Sequence, residues 1–415
     1  MLERNRGRTD GDESGGMRPP RTVFHVTPFP PEHGGIGEAV EKLLRASRED
    51  RVAIVLANVV EGPRPPSLDV RQVWRRNDLR FPLQIAGALR RATGPPGIAH
   101  VQHHFFLYGD AITVVEFPLL LLLLKLRGYR VLTQLHSVID LEEFEQDIGK
   151  AQATESLSPR LMRMALRRFY TSVAALSDML LVQTDTMARL LTGTYGIPEG
   201  KVAAVPLGWD ATTAEPRPAA KEARNRRSGG AYTIVFHGFL DPTKGLEHLL
   251  RAFALVAPKF SSARLVLVGE VSPHIVAWRG SYLEELSGLA ARLGIRDRVL
   301  FTGYVTAREL EDYLAGADLF VLPYTASSSA GASIVLSKIA ILGKPLIASR
   351  VPRFMEELVP GDNAMLVAPE DVVGLAQAIE TVITSPDLAG ALGRKLRLLA
   401  LGRSWERIAE RMEAV

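Results

Sequence analysis

The chain has 415 residues, 47% of them hydrophobic and 23% charged, which is typical of soluble globular proteins and long enough for two or three compact domains. It contains no cysteine, which excludes disulfide scaffolds, thiolate metal sites and cysteine nucleophiles. The formal net charge of +4 suits an anionic small molecule or an acidic membrane surface; it is too small and dispersed to indicate nucleic acid, so no nucleic-acid partner is expected.

The first residues are expected to lie outside any domain. Residues 1–20 are mostly glycine, arginine, acidic residues and proline, which predicts a disordered tail without the hydrophobic stretch of a secretory signal. The longest apolar run, Phe117–Leu124, is far shorter than the roughly 20 residues of a membrane span. Within it, Leu119–Leu124 is expected to be a helix buried under the first sheet. These features predict a cytoplasmic protein, with peripheral contact at the inner face of a membrane as an option.

From residue 21 the chain alternates short β-branched runs with longer amphipathic ones. The predicted strands are Thr22–Thr27, Val52–Ala57, Ile98–His103, Val131–His136, Met179–Gln183 and Val202–Pro206. The predicted helices are Gly37–Ser47, Pro82–Ala92, Ile112–Arg127, Pro159–Leu176 and Asp185–Tyr195. Strands that are apolar at nearly every position and separated by helices predict a doubly wound parallel α/β domain over residues 21–210.

A second series of the same kind follows a change of composition. Residues 211–230 lack large apolar side chains and are interpreted as a linker. The next predicted strands are Tyr232–Phe236, Arg264–Val268, Val299–Thr302, Leu319–Leu322, Pro345–Ala348 and Met365–Val367. The predicted helices are Gly245–Val256, Tyr282–Leu293, Ala307–Ala315, Gly331–Leu342 and those from Asp371 onward. Residues 231–398 therefore read as a second Rossmann-like domain facing the first across a cleft, where α/β sheets bind ligands.

Three loops lie where a predicted strand meets a helix, the place at which phosphates bind. The first is His33–Gly37, the second His237–Gly245 and the third Ser327–Ser333. Bare glycine amides and a lysine, Lys244, suit a diphosphate. Each loop also has a plainer interpretation: a turn before a helix, a solvated lysine, and serines that cap a helix for structural reasons.

The order and spacing of the motifs resemble the retaining glycosyltransferases of family 4, which have the GT-B fold. The similarity runs from about Arg21 to the C-terminus, with the glycine loop, the "KG" loop at Lys244, the segment 205–210 and the terminal Ser404-Trp405-Glu406 as its best marks. The resemblance implies transfer of a sugar from a nucleotide-sugar donor to a sugar or lipid-linked acceptor. It also implies that residues 399–415 form a helix crossing back to the N-terminal domain.

The resemblance assigns roles to individual residues. His136 and Lys244 match the catalytic positions near the donor sugar and the diphosphate, and His103 and His104 fall on the acceptor side. The implied donor-binding residues are Gly34, Gly35, Gly238, Lys244, Tyr304, Ser329, Gly331, Ala332, Ser333 and Lys338. A structural role for His136 as a capped strand-end histidine, and for one of His103 and His104, stays open.

The departures from the family pattern place this chain in a divergent branch. The family's loop arginine is Phe239 here, and its paired glutamates fall on Ala330 and Lys338. An ammonium cannot accept the hydrogen bonds of sugar hydroxyls. We hypothesise that Lys338 supplies the charge that is missing at Phe239.

No metal or other cofactor is expected, because no Asp-x-Asp motif or histidine–aspartate cluster occurs in the folded region. A glycoside hydrolase would need two carboxylates that flank the glycosidic bond. The acidic run 140–145 is the candidate for them, but such a run is more typical of a solvated face. A non-catalytic sugar- or nucleotide-binding subunit and an epimerase or phosphorylase of the same fold remain alternatives. Pro159–Tyr170 combines four arginines with apolar residues, as in a lipid-facing helix, although an ordinary sheet-covering helix is favoured.

Overall fold

A computed structural model describes residues 22–32, 34–47, 52–62, 67–90, 96–105, 107–142, 159–210, 231–271, 281–325 and 329–414. The predicted tail, 1–20, and the predicted linker, 211–230, lie outside these ranges. All further statements refer to the described residues.

The first half of the chain forms a seven-stranded sheet and a separate short strand. Its strands are β1 Thr22–Val26, β2 Val52–Asn58, β3 Asp69–Trp74, β4 Ile98–His103, β5 Arg130–Leu135, β6 Val138–Ile139, β7 Met179–Val182 and β8 Val202–Ala204. The sheet order is β3-β2-β1-β4-β5-β7-β8, and every neighbouring pair is parallel. The pattern had not predicted β3, because this edge strand carries Asp69 and Arg71 at exposed positions and Gln72 at a half-buried one, where an edge needs no apolar cover.

Helices cover both faces of this sheet. They are α1 Gly35–Ala46, α2 Phe81–Arg90, α3 Ala111–Leu126, α4 Pro159–Leu176 and α5 Asp185–Arg189, the last continued by a π-helical turn at Leu190–Thr194. The helices α2, α3 and α4 lie side by side on one face.

Only one side of α3 is buried in the core. Leu120, Leu121 and Leu124 are fully buried, whereas Leu119 and Leu122 are exposed, so the expectation that the whole run lies under the sheet was wrong. A helix on the outside of a single sheet has only one side to bury. None of the described helices has both the length and the apolar character needed to cross a bilayer.

The second half repeats the architecture with six parallel strands. The strands are β9 Thr233–His237, β10 Arg264–Val268, β11 Val299–Phe301, β12 Leu319–Leu322, β13 Ser329–Ala330, β14 Leu346–Ser349 and β15 Met365–Val367. The sheet order is β11-β10-β9-β12-β14-β15, and β13 lies outside the sheet. The helices are α6 Leu246–Val256, α7 Tyr282–Arg292, α8 Ala307–Ala315, α9 Ile334–Ile339, α10 Pro352–Met355, α11 Val372–Thr384, α12 Pro386–Leu401 and α13 Trp405–Glu413. The prediction of two Rossmann-like domains is confirmed.

The helix predicted to start at Gly331 starts three residues later. Ser333 is its N-cap, and its Oγ accepts a hydrogen bond from the amide of Leu336 at 3.2 Å. The preceding residues are extended instead, because β13 pairs antiparallel with β6 of the other domain.

The end of the chain packs on the N-terminal domain. Ile408 and Ala409 of α13 are buried against Leu43 of α1 and Leu181 of β7. The helix α12 runs through residue 398, so the predicted boundary falls inside a helix, and the chain turns at Gly402–Ser404 before α13.

Asp210 ties this crossing together. Its Oδ1 accepts hydrogen bonds from Lys42 Nζ at 2.7 Å and from Trp405 Nε1 at 2.9 Å. Gly208 lies against the ring of Trp405, and a Cβ at that position would come within 2.3 Å of a ring carbon.

We therefore expect Gly208→Ala to lower the free energy of unfolding by about 1–3 kcal/mol, because overpacking at a rigid ring forces α13 away from the N-terminal domain. Urea unfolding measures the loss, and hydrogen exchange across residues 405–413 should speed up. Gly87→Ala is the matched control: a Cβ there meets nothing within 4 Å, and alanine in α2 should be neutral or stabilising by about 0.5–1 kcal/mol. Equal losses in both variants would contradict this account.

Candidate active site

The carboxyl ends of both sheets face each other, and five loops meet there. They follow β1, β5, β9, β12 and β14. Parallel sheets bind ligands at these ends, so the loops define the candidate active site.

The glycine loop of the first domain touches the second domain directly. Gly34 is the N-cap of α1, and a Cβ on it would face open space. A Cβ on Gly35 would lie only 2.3 Å from Cδ1 of Ile334, the first residue of α9. A side chain at Gly35 would therefore push the two helix starts apart.

A second close approach joins the loops after β5 and β12. The two residues of β13 pair with those of β6, Ser329 with Ile139 and Ala330 with Val138. A Cβ on Gly331 would lie 2.7 Å from the carbonyl oxygen of His136. Gly331, which was predicted to bind the donor, is thus also a position of close contact between the two domains.

The loop after β9 is held by its own backbone. Gly238 has φ +140° and Gly245 has φ +66°. A Cβ on Gly245 would lie 2.0 Å from the carbonyl oxygen of Pro323 and would clash with it. Asp241 caps the short 3-10 helix Pro242–Lys244 by accepting a hydrogen bond from the Thr243 amide at 2.8 Å. Lys244 is thereby fixed at the loop's inner end.

The ammonium of Lys244 lies over an aromatic ring. Its Nζ is 4.2 Å from the ring centroid of Tyr324, which is itself buried. Burial, and to a lesser extent the positive charge of Arg353, lower the pKa of Lys244 to about 8, while the charge of Asp241 opposes the shift. Among the described residues, no carboxylate forms an ion pair with this lysine.

A second cation stands beside Lys244. Arg353, in α10, donates from Nη1 to the carbonyl of Ala332 at 3.1 Å, and burial lowers its pKa. Sequence reasoning missed this residue. The available signal was a basic side chain four residues after a strand of the parallel sheet. The other loops of the site also follow strands of the two sheets.

Lys338 has a partner across the cleft. Its Nζ forms an ion pair with Glu38 Oε2 of α1 at 2.7 Å. The hypothesised phosphate contact of Lys338 stays untested, and in this arrangement the lysine links the domains. His237, at the end of β9, lies near this pair, and burial lowers its pKa to about 4.

His136 belongs to a chain of hydrogen bonds between side chains. Its Nε2 lies 2.7 Å from Gln102 Oε1, and its Nδ1 lies 3.2 Å from Gln183 Nε2. Gln102 Nε2 then reaches His100 Nε2 at 3.1 Å, and His100 Nδ1 reaches His25 Nδ1 at 3.2 Å. One set of neutral tautomers satisfies all four contacts, each group donating to the next from Gln183 to His25.

Burial keeps these imidazoles neutral. It lowers the pKa of His136 to about 3 and that of His100 to about 4. A pocket of about 40 Å³ lies beside them, with Trp405 of α13 in its lining and room for a few water-sized groups.

The two acceptor-side histidines differ in exposure. His103 is fully buried among Phe105, Phe117 and Phe169, and burial lowers its pKa to about 3. His104 is exposed, with Nδ1 2.7 Å from the carbonyl of Phe105.

Three further residues predicted to bind the donor are either exposed at the edge of the site or take part in hydrogen bonds that hold its backbone. Tyr304 is 55% exposed beyond the end of β11. Ser333 caps α9, and Ala332 offers its carbonyl to Arg353.

Two comparisons with known proteins bear on this geometry. Family models described as glycosyl transferases group 1 and glycosyl transferase 4-like domain match residues 219–398 and 34–208. A D-inositol 3-phosphate glycosyltransferase from Acidothermus cellulolyticus is 30% identical over 392 residues, covering 90% of this chain and 80% of the relative. The chain belongs to glycosyltransferase family 4.

Other similar proteins agree with this membership. A GDP-mannose-dependent alpha-(1-6)-phosphatidylinositol monomannoside mannosyltransferase from Mycobacterium tuberculosis is 31% identical over 214 residues. That match covers 50% of this chain and about half, 52%, of the relative's length. The crystal structure of HepE from Anabaena with UDP-glucose has a TM-score of 0.71 at 16% identity, covering 95% of this chain and 100% of that one, and so shares the GT-B fold.

The buried histidines make stability dependent on pH. The neutral form is favoured in the folded protein, while the unfolded chain binds protons below about pH 6.5. We expect the free energy of unfolding to fall as the pH drops from 6.5 toward 4, by up to roughly 1.4 kcal/mol per histidine and pH unit. Urea unfolding at pH 7.5, 6.5 and 5.5 measures the slope, and His103→Phe should make it shallower by about one histidine's share. A wild-type stability that does not change across this range would contradict the prediction.

Proposed function

We propose that the protein transfers a sugar from a nucleotide-sugar donor to a sugar or lipid-linked acceptor with retention of configuration at the anomeric carbon. The observation that carries the proposal is Lys244: a desolvated ammonium in the loop after β9, 4.2 Å from the ring centroid of Tyr324 and without a carboxylate ion pair among the described residues. A half-buried, largely desolvated cation of this kind is stabilised when an anion binds, and a diphosphate is the anion that a nucleotide sugar brings.

The chemistry follows from charge development at the leaving group. As the glycosidic bond breaks, negative charge builds on the phosphate oxygens while the sugar becomes cationic. Lys244 and the free amides of the α1 start at Gly34 and Gly35 would stabilise that charge, which is the largest catalytic contribution available here.

His136 is proposed to orient the donor sugar. Because both ring nitrogens are hydrogen-bonded to glutamines, a contact with the sugar requires exchange of one partner, or contact through the loop backbone. The His136 ring is neutral, and both of its nitrogens are already hydrogen-bonded. The departing phosphate oxygen is therefore the better base for the proton of the sugar-accepting hydroxyl. This front-face route gives retention, and we expect it to need no metal.

The donor is best sought among the sugars that similar proteins use. The mycobacterial relative is named for GDP-mannose, and HepE was crystallised with UDP-glucose. Both belong in the donor panel, and acceptors should include inositol phosphates and phosphoinositide lipids because two relatives are named for such acceptors.

We expect the wild-type protein to release nucleoside diphosphate from at least one member of a nucleotide-sugar panel, and Lys244→Met to reduce kcat/KM by roughly 10²–10³. Coupled detection of the diphosphate, with and without acceptor, measures the rates.

Lys259→Met is the matched control, because Lys259 is an exposed lysine of the same domain paired with Glu380, and its loss should leave the rate within about twofold. A protein that binds nucleoside diphosphates without ever releasing one from a nucleotide sugar would be the non-catalytic binding subunit instead. No binding at all would contradict the proposal.

We also propose that the α3–α4 face of the N-terminal domain contacts an anionic membrane surface. Along α3 one side exposes apolar residues at helical spacing, namely Ile112, Val115, Leu119, Leu122 and Leu126. The neighbouring α4 exposes Leu161 and Met164 together with Arg160, Arg167 and Arg168. Apolar side chains beside arginines fit lipid tails and anionic headgroups at the same time, and a lipid-linked acceptor would be presented there.

Replacing Val115 and Leu126, which are 77% and 75% exposed, by aspartate should reduce binding to vesicles rich in phosphatidylglycerol at least tenfold without changing the melting temperature. Vesicle flotation measures the bound fraction, and phosphatidylcholine vesicles should bind weakly throughout. Leu398→Asp, 67% exposed on α12, is the matched control and should leave binding intact. Equal binding by the double variant and wild type would exclude this face.

A further inference from the structure

The loop arginine of family 4 is Phe239 here, and this raises the question of which group replaces its charge. Phe239 is 43% exposed and carries no charge. Lys338, the replacement expected from the sequence, is held by Glu38 at 2.7 Å. Neither residue therefore offers a free cation to the diphosphate.

We propose that Arg353 supplies the second cation for the donor diphosphate, in place of the missing loop arginine. This inference rests on the proposed function, because it assigns a further binding residue to the same site. Arg353 comes from α10, which follows β14, whereas the loop arginine would come from the segment after β9.

The first support is position. The guanidinium donates to Ala332, next to Gly331, and its Nη2 is 3.8 Å from where a Cβ on Gly331 would stand. It therefore lies at the start of α9, where the domains meet and where a diphosphate would contact both.

The second support is charge. Arg353 and Lys244 are both desolvated, and Arg353 is close enough to lower the pKa of the lysine. Tyr324 lies between them, with Lys244 over its ring, and burial raises its pKa to about 12, so it stays neutral at physiological pH. Among the described residues, Asp241 is the carboxylate whose negative charge acts on Lys244, and it does so without an ion pair.

Two adjacent half-buried and largely desolvated cations without a paired carboxylate among the described residues are costly to keep unless an anion joins them. Arginine presents a planar fork that binds phosphate oxygens in pairs, whereas lysine acts as a point charge. The two side chains together match a diphosphate: a fork for one phosphate and an ammonium for the other.

The test compares three ligands on the intact protein: the nucleoside diphosphate of the donor that the wild type uses, its nucleoside monophosphate and its nucleoside. Isothermal titration calorimetry should show that Arg353→Gln weakens the diphosphate about 10- to 100-fold and leaves the nucleoside within about twofold. Arg353→Lys should fall between these, because it keeps a charge and loses the fork. Arg251→Gln, which alters an exposed arginine on α6 of the same domain, is the matched control and should bind like wild type.

A pH profile separates binding from a purely structural role. The alkaline limb of kcat/KM should follow Lys244, near pH 8, and should move upward in Arg353→Gln because the neighbouring positive charge is gone. If Arg353→Gln weakens nucleoside and diphosphate equally, or leaves the limb in place, the arginine only holds the Ala332 carbonyl and the inference is overturned. If wild type and Arg353→Gln bind the diphosphate alike while Lys244→Met does not, the inference fails and the proposed function stands. If wild type binds no diphosphate, both fail.

Discussion

The absence of a side chain at Gly331 sets how closely the two domains approach. A Cβ there would meet the His136 carbonyl at 2.7 Å, and the neighbouring residues pair with β6 across the cleft. Everything in the site depends on this contact. It brings the loop after β5 against the start of α9 and places Ala332 where Arg353 can donate to its carbonyl. A larger residue would separate the histidine side of the site from the cationic side.

The two sides of the site are electrostatically different. The first domain contributes imidazoles that burial keeps neutral, joined by amides in a chain from Gln183 to His25. The second domain contributes Lys244 and Arg353, both positive and both desolvated. A nucleotide sugar has the same polarity, with a neutral sugar at one end and a dianionic linkage next to it. The neutral side therefore suits the sugar and the positive side the linkage.

Much of the architecture was predictable, because buried parallel strands are apolar at nearly every position, as β9 and β12 are. Lys244 could be placed because its loop follows such a strand. The start of α9 could not, since Ser329 and Ala330 are extended by pairing with a strand almost 200 residues earlier in the chain. The partner of Lys338 depends on which helix faces it across the cleft, and Arg353 lies outside any motif. Charged pairs and neighbours of this kind are tertiary facts that local patterns do not contain.

The two crossings between the domains lie next to each other, and this arrangement limits how the enzyme opens. The amide of Trp209, on the first crossing, donates to the carbonyl of Arg403, on the second, at 2.8 Å, and Asp210 binds residues from both ends of the chain. A rotation of one domain relative to the other about these two crossing segments leaves these bonds intact. Opening has to break the Glu38–Lys338 pair, the short β6–β13 ladder and the hydrogen bonds that the amides of Asp185 and Thr186 donate to Glu356. The two crossing segments therefore act as the hinge between the domains, and the contacts across the cleft are the ones that opening breaks.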